Sequence, residues 1–136
     1  MSDLTLAEAQ VIIKGITEAA SASGKAVVVA VSDRHGELIA FSRMASGLLA
    51  AITIAQNKAY TAARMNRATR TLGERYSSGG AFAFLGDARF TGFAGGLPLL
   101  RDGAVCGAVG VSGLSEDEDE DLARIGLAAL APAPGA

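Results

Sequence analysis

The chain has 136 residues, half of them hydrophobic but only 5% aromatic, with 17 glycines, one cysteine and a net charge of −2. This length predicts one domain, and the hydrophobic content excludes intrinsic disorder, which requires low hydrophobicity and high net charge. The slightly acidic balance argues against a nucleic-acid partner, and a lone Cys106 excludes an internal disulfide. No apolar run reaches the roughly 18 residues of a membrane span. No signal-peptide pattern is present, so we expect a cytoplasmic protein that has no membrane partner.

The first half of the chain predicts a helix, a β-hairpin and a second helix. Thr5 and Glu8 have the spacing of a capping box, and apolar residues then recur at every third or fourth position. A valine-rich run follows, and an Asp/Gly-containing turn separates it from a second apolar run. The predicted elements are a helix over about Leu6–Ala22, strands over Ala26–Ser32 and Glu37–Arg43, and a helix over about Leu49–Asn66. A stripe of alanines on the second helix predicts close packing on a sheet or on another helix.

The second half predicts a short helix, a glycine-rich stretch, a second hairpin and a last helix. Asp102–Gly103 is a strong hairpin-turn signal, and Ser115 with Glu118 forms another capping box. Gly107 and Gly110 inside a strand predict bulges or a close backbone approach. The predicted elements are a helix over Thr69–Tyr76 capped by Thr69, strands over Leu97–Arg101 and Ala104–Ser112, and a helix from Ser115 to about Leu130.

This order of elements predicts an α+β fold. Two hairpins build an antiparallel sheet of about five strands, and the helices flank it in the order α-β-β-α-(α)-β-β-α. We expect residues 1–136 to form a single domain with a flexible tail at 131–136. The six consecutive acids Glu116–Asp121 lie at the start of the last helix, where the helix dipole favours negative charge.

Four segments of the chain resemble motifs of one known family. They are Val31–Met44, Asn57–Arg64, Gly95–Leu99 and Gly107–Gly113. In this order and spacing they resemble the GlcG/HbpS-like, or haem-degrading, proteins, which are related to the PduO C-terminal domain. The resemblance implies an antiparallel sheet flanked by helices, assembly into homo-oligomers, and haem binding in some members. An oligomer of at least two chains is also favoured by the alanine stripe and the high hydrophobic content.

The residues that could bind a ligand lie partly in these blocks. The predicted ligand-binding set is Arg43, Lys58, Tyr60, Arg64, Gly95 and Gly96, and His35 is the candidate ligand to a haem iron. Arginine and lysine suit an anionic group, and glycine pairs can present backbone N–H groups. Lys58 and Arg64 are six residues apart, about 240° around a helix, so they cannot both face one ligand unless their side chains bend round it.

Each of these residues also has a structural interpretation. His35 can be an exposed turn residue, the helical residues can form caps or interhelical hydrogen bonds, and the glycines can form tight turns. Four phenylalanines in the glycine-rich stretch either pack on the core or line a pocket: Phe82, Phe84, Phe90 and Phe93.

Three functions therefore remain open at this stage. The first is an oligomeric protein that binds haem or another small, anionic, partly apolar ligand. The second is an enzyme acting on a small carboxylate, with Lys58, Tyr60 or His35 as the acid–base group. The third is a non-catalytic accessory subunit.

Overall fold

The fold is α+β, as predicted, in a computed structural model that describes residues 3–45 and 48–130. The elements are α1 (Leu6–Ala22), β1 (Val28–Asp33), β2 (Leu38–Arg43), α2 (Ala51–Met65), α3 (Thr69–Ser77), a 3₁₀ turn (Ala81–Phe84), β3 (Gly96–Arg101), β4 (Ala104–Ser112) and α4 (Glu116–Ala129). Their order matches the prediction. The described sheet has four strands rather than about five, because the two hairpins supply all of them. The predicted tail at 131–136 lies outside the described residues. No helix in the described part of the chain has the length and apolarity to span a membrane.

The sheet is antiparallel throughout, with the strand order β2-β1-β4-β3. The two hairpins join through β1 and β4, where Val28 pairs with Ser112 and Asp33 pairs with Gly107. This register places the β1–β2 turn and the end of β4 at opposite ends of the sheet. Five residue steps of about 3.3 Å each separate these ends by roughly 17 Å.

Both faces of β1 are covered, which explains its uninterrupted apolar sequence. Val29 and Val31 pack in the main core with residues of α1 and α4, whereas Val28 and Ala30 pack against alanines of α2. A strand buried on two faces does not alternate apolar and polar residues. The sheet therefore lies between α1 and α4 on one side and α2 on the other.

The predicted close approach of backbones occurs where α2 crosses β4. A Cβ placed on Gly110 would lie 2.1 Å from the Ala55 carbonyl oxygen and 2.7 Å from the Ala59 nitrogen. A Cβ placed on Gly107 would lie 2.6 Å from the carbonyl oxygen of Ser32 on the neighbouring strand β1. The alanine stripe of α2 therefore packs directly on the sheet.

The local signals at turns and helix ends are mostly confirmed. Both capping boxes are present, and Asp102 and Gly103 have φ angles of 51° and 78°, as a type I′ turn requires. The prediction that Thr69 caps α3 is wrong. The N-cap is Ala68, which makes no side-chain cap, while the Thr69 hydroxyl bonds to the segment before β3.

The acidic run of α4 is more than a solvated helix start. Asp119 and Glu120 are buried, and both pair with basic residues of other elements. Glu120 bonds to Arg70 of α3 and to Arg124 of its own helix, whereas Asp121 is exposed. The helix dipole alone therefore does not account for two of the six acids, because α4 turns this side toward α2 and α3.

Candidate functional site

A cleft opens at the end of the sheet where β4 stops and α4 begins. We call it the Lys58 cleft; its volume is about 330 Å³, and it is lined by Leu48, Ile54, Lys58, Phe93, Ser112, Gly113, Leu114, Ser115, Glu116 and Asp119. This volume lies within the range of about 300–1,000 Å³ for small-molecule sites. Its walls combine apolar side chains with two carboxylates and one amine.

The polar centre of the cleft is a buried pair, Lys58 and Asp119. Lys58 is 2% exposed, and its Nζ donates to the Val111 carbonyl oxygen at 2.7 Å and to Asp119 Oδ2 at 3.1 Å. Asp119 is held in place because its Oδ1 accepts the Leu114 N–H at 3.1 Å. A lysine from the middle of α2 thus reaches the first turn of α4 under the end of the sheet.

Burial shifts the two groups of this pair toward their neutral forms. Desolvation lowers the pKa of Lys58, although the negative charges of Asp119 and Glu116 oppose the shift. Desolvation also raises the pKa of Asp119, against the attraction of Lys58 and its hydrogen bonds. The lowered pKa of Lys58 and the raised pKa of Asp119 both favour sharing of the proton between the amine and the carboxylate.

Gly95 and Gly96 lie against Lys58, but as close-packed backbone. A Cβ on Gly95 would lie 2.8 Å from Lys58 Nζ, and one on Gly96 would lie 2.5 Å from the Lys58 carbonyl oxygen. The Gly96 N–H donates to the Thr69 hydroxyl at 3.0 Å. The absence of a side chain at these glycines therefore allows the backbone to pack directly against Lys58.

A larger depression, which we call the aromatic groove, adjoins the Lys58 cleft. Its volume is about 740 Å³, and it is lined by Arg70, Gly73, Glu74, Tyr76, Ser77, Ser78, Gly92, Phe93 and Glu116. Phe93 and Glu116 line both depressions. Phe93 is 52% exposed and Tyr76 is 38% exposed, so two aromatic rings face this surface unburied.

Two glycines shape the bottom of the aromatic groove. A Cβ on Gly73 of α3 would lie 2.1 Å from the Gly92 carbonyl oxygen, so the helix and the loop touch backbone to backbone. The Thr69 hydroxyl donates to the Phe93 carbonyl oxygen at 2.6 Å and ties the same loop to α3. These contacts fix the position of Phe93 between the groove and the cleft.

Tyr60 and Arg64 belong to a different cluster. The buried Tyr60 ring lies under the guanidinium groups of Arg64 and Arg89, whose Cζ atoms are 4.6 Å and 3.7 Å from its centroid, and its hydroxyl donates to Asp87. Arg64 Nε also donates to the His35 carbonyl oxygen at 2.8 Å. The cluster therefore ties α2 to the β1–β2 turn, away from the Lys58 cleft.

His35 and Arg43 do not line either depression. His35 is exposed in the β1–β2 turn, at the opposite end of β1 from Ser112. Arg43 is exposed on the edge strand β2 at the same end of the sheet as the Lys58 cleft, because it pairs with Val28, which in turn pairs with Ser112. Among the four phenylalanines, Phe93 lines the groove and Phe90 packs on Tyr60, with ring centroids 5.5 Å apart. The predicted set of ligand residues is thus divided: Lys58, Gly95 and Gly96 lie at one place, Tyr60 and Arg64 at a second, and Arg43 at a third.

Sequence reasoning missed Asp119, Glu116 and Tyr76. Asp119 and Glu116 belong to an acidic run whose sequence pattern indicates only the start of a helix. Tyr76 lies at the end of a short polar helix, where no pattern marks it as a site residue. In the described residues, no three side chains of His, Cys, Asp or Glu converge on a common point that could hold a metal ion.

A four-stranded antiparallel sheet between helices, with a cleft and an aromatic groove beside it, defines a small α+β domain. The chain belongs to a family described as haem-degrading HbpS-like proteins, whose model matches residues 4–128. The resemblance noted from the four sequence blocks is confirmed.

Named relatives and solved structures agree with this membership. The chain is 39% identical over 104 residues to protein GlcG of Escherichia coli K12, covering 76% of the chain and 77% of GlcG. It is 36% identical over 107 residues to the corrinoid adenosyltransferase PduO of Salmonella typhimurium, with 76% of the chain covered. The match spans only 32% of PduO, about a third of that protein's length.

Two crystal structures have the same fold. HbpS superposes with a TM-score of 0.89 at 33% identity, covering 97% of the chain and 93% of HbpS. A complex of PduOC with heme superposes with a TM-score of 0.87 at 32% identity, covering 93% of the chain and 94% of PduOC.

Proposed function

We propose that the protein binds haem and that the aromatic groove is the site. The observation that carries the proposal is the pair of partly exposed rings, Phe93 and Tyr76, in a groove of about 740 Å³. Exposed aromatic surface gathered in one concavity is typical of a ligand site. The heme complex of PduOC, at 32% identity, supports the same assignment.

The residues of the groove fit the chemistry of haem. Its flat apolar ring would pack on Phe93 and Tyr76, and the Tyr76 phenol supplies an oxygen of the kind that ligates haem iron in some proteins. Arg70, which lines the groove and also pairs with Asp117 and Glu120, supplies a guanidinium for a propionate. When bound, haem would supply a redox-active iron centre.

The groove and the β1–β2 turn are two possible haem sites, and each offers a different residue to ligate the iron. Tyr76 lies in the groove, whereas His35, the ligand considered from sequence, lies at the other end of the sheet. The groove assignment therefore favours Tyr76. Haem ligated by His35 would have to lie against the β1–β2 turn, next to Arg34 and the Tyr60 cluster.

Titration with hemin should produce a saturable shift of the Soret band in the wild-type protein. Phe93→Ala should weaken hemin binding by about tenfold or more, the equivalent of roughly 1.4 kcal/mol of lost ring contact. Tyr76→Phe should keep the fold and change the position of the Soret band. His35→Ala should leave the spectrum unchanged.

The matched control for ring removal is Phe41→Ala, which removes a partly exposed ring from the edge strand β2. Its affinity for hemin should equal that of the wild type. Absence of a saturable shift in the wild-type protein would contradict haem binding. A shift that His35→Ala abolishes and Phe93→Ala preserves would move the site to the turn.

We also propose that the chain assembles as a homo-oligomer. Large apolar side chains are exposed on both edge strands, including Leu38 on β2 and Leu100 on β3, and exposed apolar edges favour pairing with another chain. Light scattering at micromolar concentration should give at least twice the 13.7 kDa mass of one chain. A mass equal to one chain would contradict this proposal.

A further inference from the structure

We propose that Lys58 is a nucleophilic amine that binds small neutral aldehydes or ketones in the Lys58 cleft as an imine, with Asp119 as the proton carrier. This inference concerns the cleft and not the aromatic groove. Lys58 would then form a covalent bond to the ligand, rather than act as the acid–base group that the sequence suggested.

The geometry gives the amine access to the cleft. Lys58 and Asp119 both line it, although α2, β4 and α4 enclose the lysine stem almost completely. The Gly95 backbone packs against the amine so tightly that a Cβ there would lie 2.8 Å from Nζ, so a ligand reaches the amine from the cleft that Lys58 and Asp119 line. Two hydrogen bonds, to Val111 and to Asp119, hold Nζ in one position.

The environment favours a neutral, reactive amine. Lysine is a nucleophile only when it is deprotonated, and lysines that form imines in proteins are typically desolvated. Asp119 lies 3.1 Å away and is itself buried, so it can accept the proton that Lys58 releases. The directions of the two pKa shifts, downward for Lys58 and upward for Asp119, agree with this transfer.

The chemical step balances without any further reactant. The neutral amine attacks the carbonyl carbon, and one of its two N–H protons moves to the carbonyl oxygen to give a carbinolamine. Asp119, which carries the proton that Lys58 released, then donates it to the hydroxyl group. The hydroxyl group leaves as water while the nitrogen lone pair forms the C=N bond, which gives a protonated imine beside the Asp119 carboxylate. No electrons are gained or lost, and addition of water reverses the reaction.

The charges of the cleft define the carbonyl compound that it accepts. Lys58 is balanced by Asp119, and Glu116 leaves an additional negative charge in the lining. Leu48, Ile54 and Phe93 form the apolar wall. A short alkyl aldehyde or ketone suits this surface, whereas a carboxylate on the same carbon chain would be repelled by Glu116.

The test is reductive trapping of butanal with cyanoborohydride, followed by peptide mapping of the folded protein. The chain has three lysines, and Lys14 and Lys25 are exposed, with 76% and 45% of their side chains accessible. At pH 7 Lys58 should gain one butyl group faster than Lys14, because burial lowers the pKa of Lys58 and so increases the fraction of its neutral amine. In denaturant the three lysines should react at equal rates.

Comparison of substrates and variants completes the test. Succinic semialdehyde, a carboxylate-bearing aldehyde of the same length, should label Lys58 more slowly than butanal, and Glu116→Gln should reduce that difference. Asp119→Asn should slow labelling of Lys58 without changing labelling of Lys14. If Lys14 and Lys25 are alkylated in the folded wild-type protein while Lys58 remains unmodified, the proposal is overturned. Labelling of Lys58 is measured without hemin, so its result neither supports nor contradicts haem binding in the aromatic groove.

Discussion

Asp119→Asn and Lys58→Met are each expected to lower the free energy of unfolding by about 3–5 kcal/mol, because either change leaves the other member of a buried pair without the partner that shares its proton. Lys58 and Asp119 are almost completely buried, with side chains only 2% and 3% exposed. Lys58→Met also leaves the Val111 carbonyl oxygen without the amine that donates to it. Chemical denaturation of each variant measures the effect.

The double variant measures how much the interaction between Lys58 and Asp119 itself contributes to the free energy of unfolding. Lys58→Met combined with Asp119→Asn should cost less than the sum of the single changes, since neither residue then remains buried beside a partner that has been removed. Lys14→Met is the matched control, because Lys14 pairs with Glu18 at 3.9 Å on the exposed face of α1. It should cost no more than about 0.5 kcal/mol. Single variants that lose under 1 kcal/mol and add independently would show that the buried pair contributes nothing.

Gly110→Ala is the second change with a large expected effect. Its Cβ would lie 2.1 Å from the Ala55 carbonyl oxygen and 2.7 Å from the Ala59 nitrogen, and backbone atoms of a helix cannot move aside alone. Helix α2 must therefore shift away from β4, and Lys58 would shift with it. We expect a loss of about 3 kcal/mol or more, the upper end of the effects of overpacking.

The control for this change is Gly79→Ala. Gly79 has a φ of 78° and no atom within 4 Å of an added Cβ, so the substitution adds backbone strain without overlap. Its cost should be about 1 kcal/mol. Thermal or chemical unfolding compares the two variants, and equal losses would contradict the argument from close packing.

Much of the fold could be predicted from the sequence because its signals are local. The capping box at Thr5 and Glu8 starts α1, and apolar spacing carries that helix to Ala22, as predicted. The Asp102–Gly103 turn produces the second hairpin, since both residues adopt the positive φ that its geometry requires. Each of these signals acts over a few residues, so no distant contact is needed to interpret it.

The candidate site could be predicted only in part. Lys58 was recognised as a candidate, and its separation from Arg64 followed from helical geometry. Its partner was missed, because Asp119 lies 61 residues further along the chain inside a run of acids. Thr69 was predicted as a helix cap, yet its hydroxyl joins α3 to Phe93 and Gly96, a contact that no local pattern indicates.

The sequence by itself therefore determined the order of the elements, the hairpin turns and membership of the family. Only the tertiary structure decided which charges meet. Helix α2 crosses β4 so closely that Lys58 is carried under the end of the sheet, where the first turn of α4 brings Asp119 to 3.1 Å. Local signals determine where a chain turns and which face of an element is apolar. The position of a side chain between two distant elements depends on the packing of all of them, because burial decides which polar groups must find a partner.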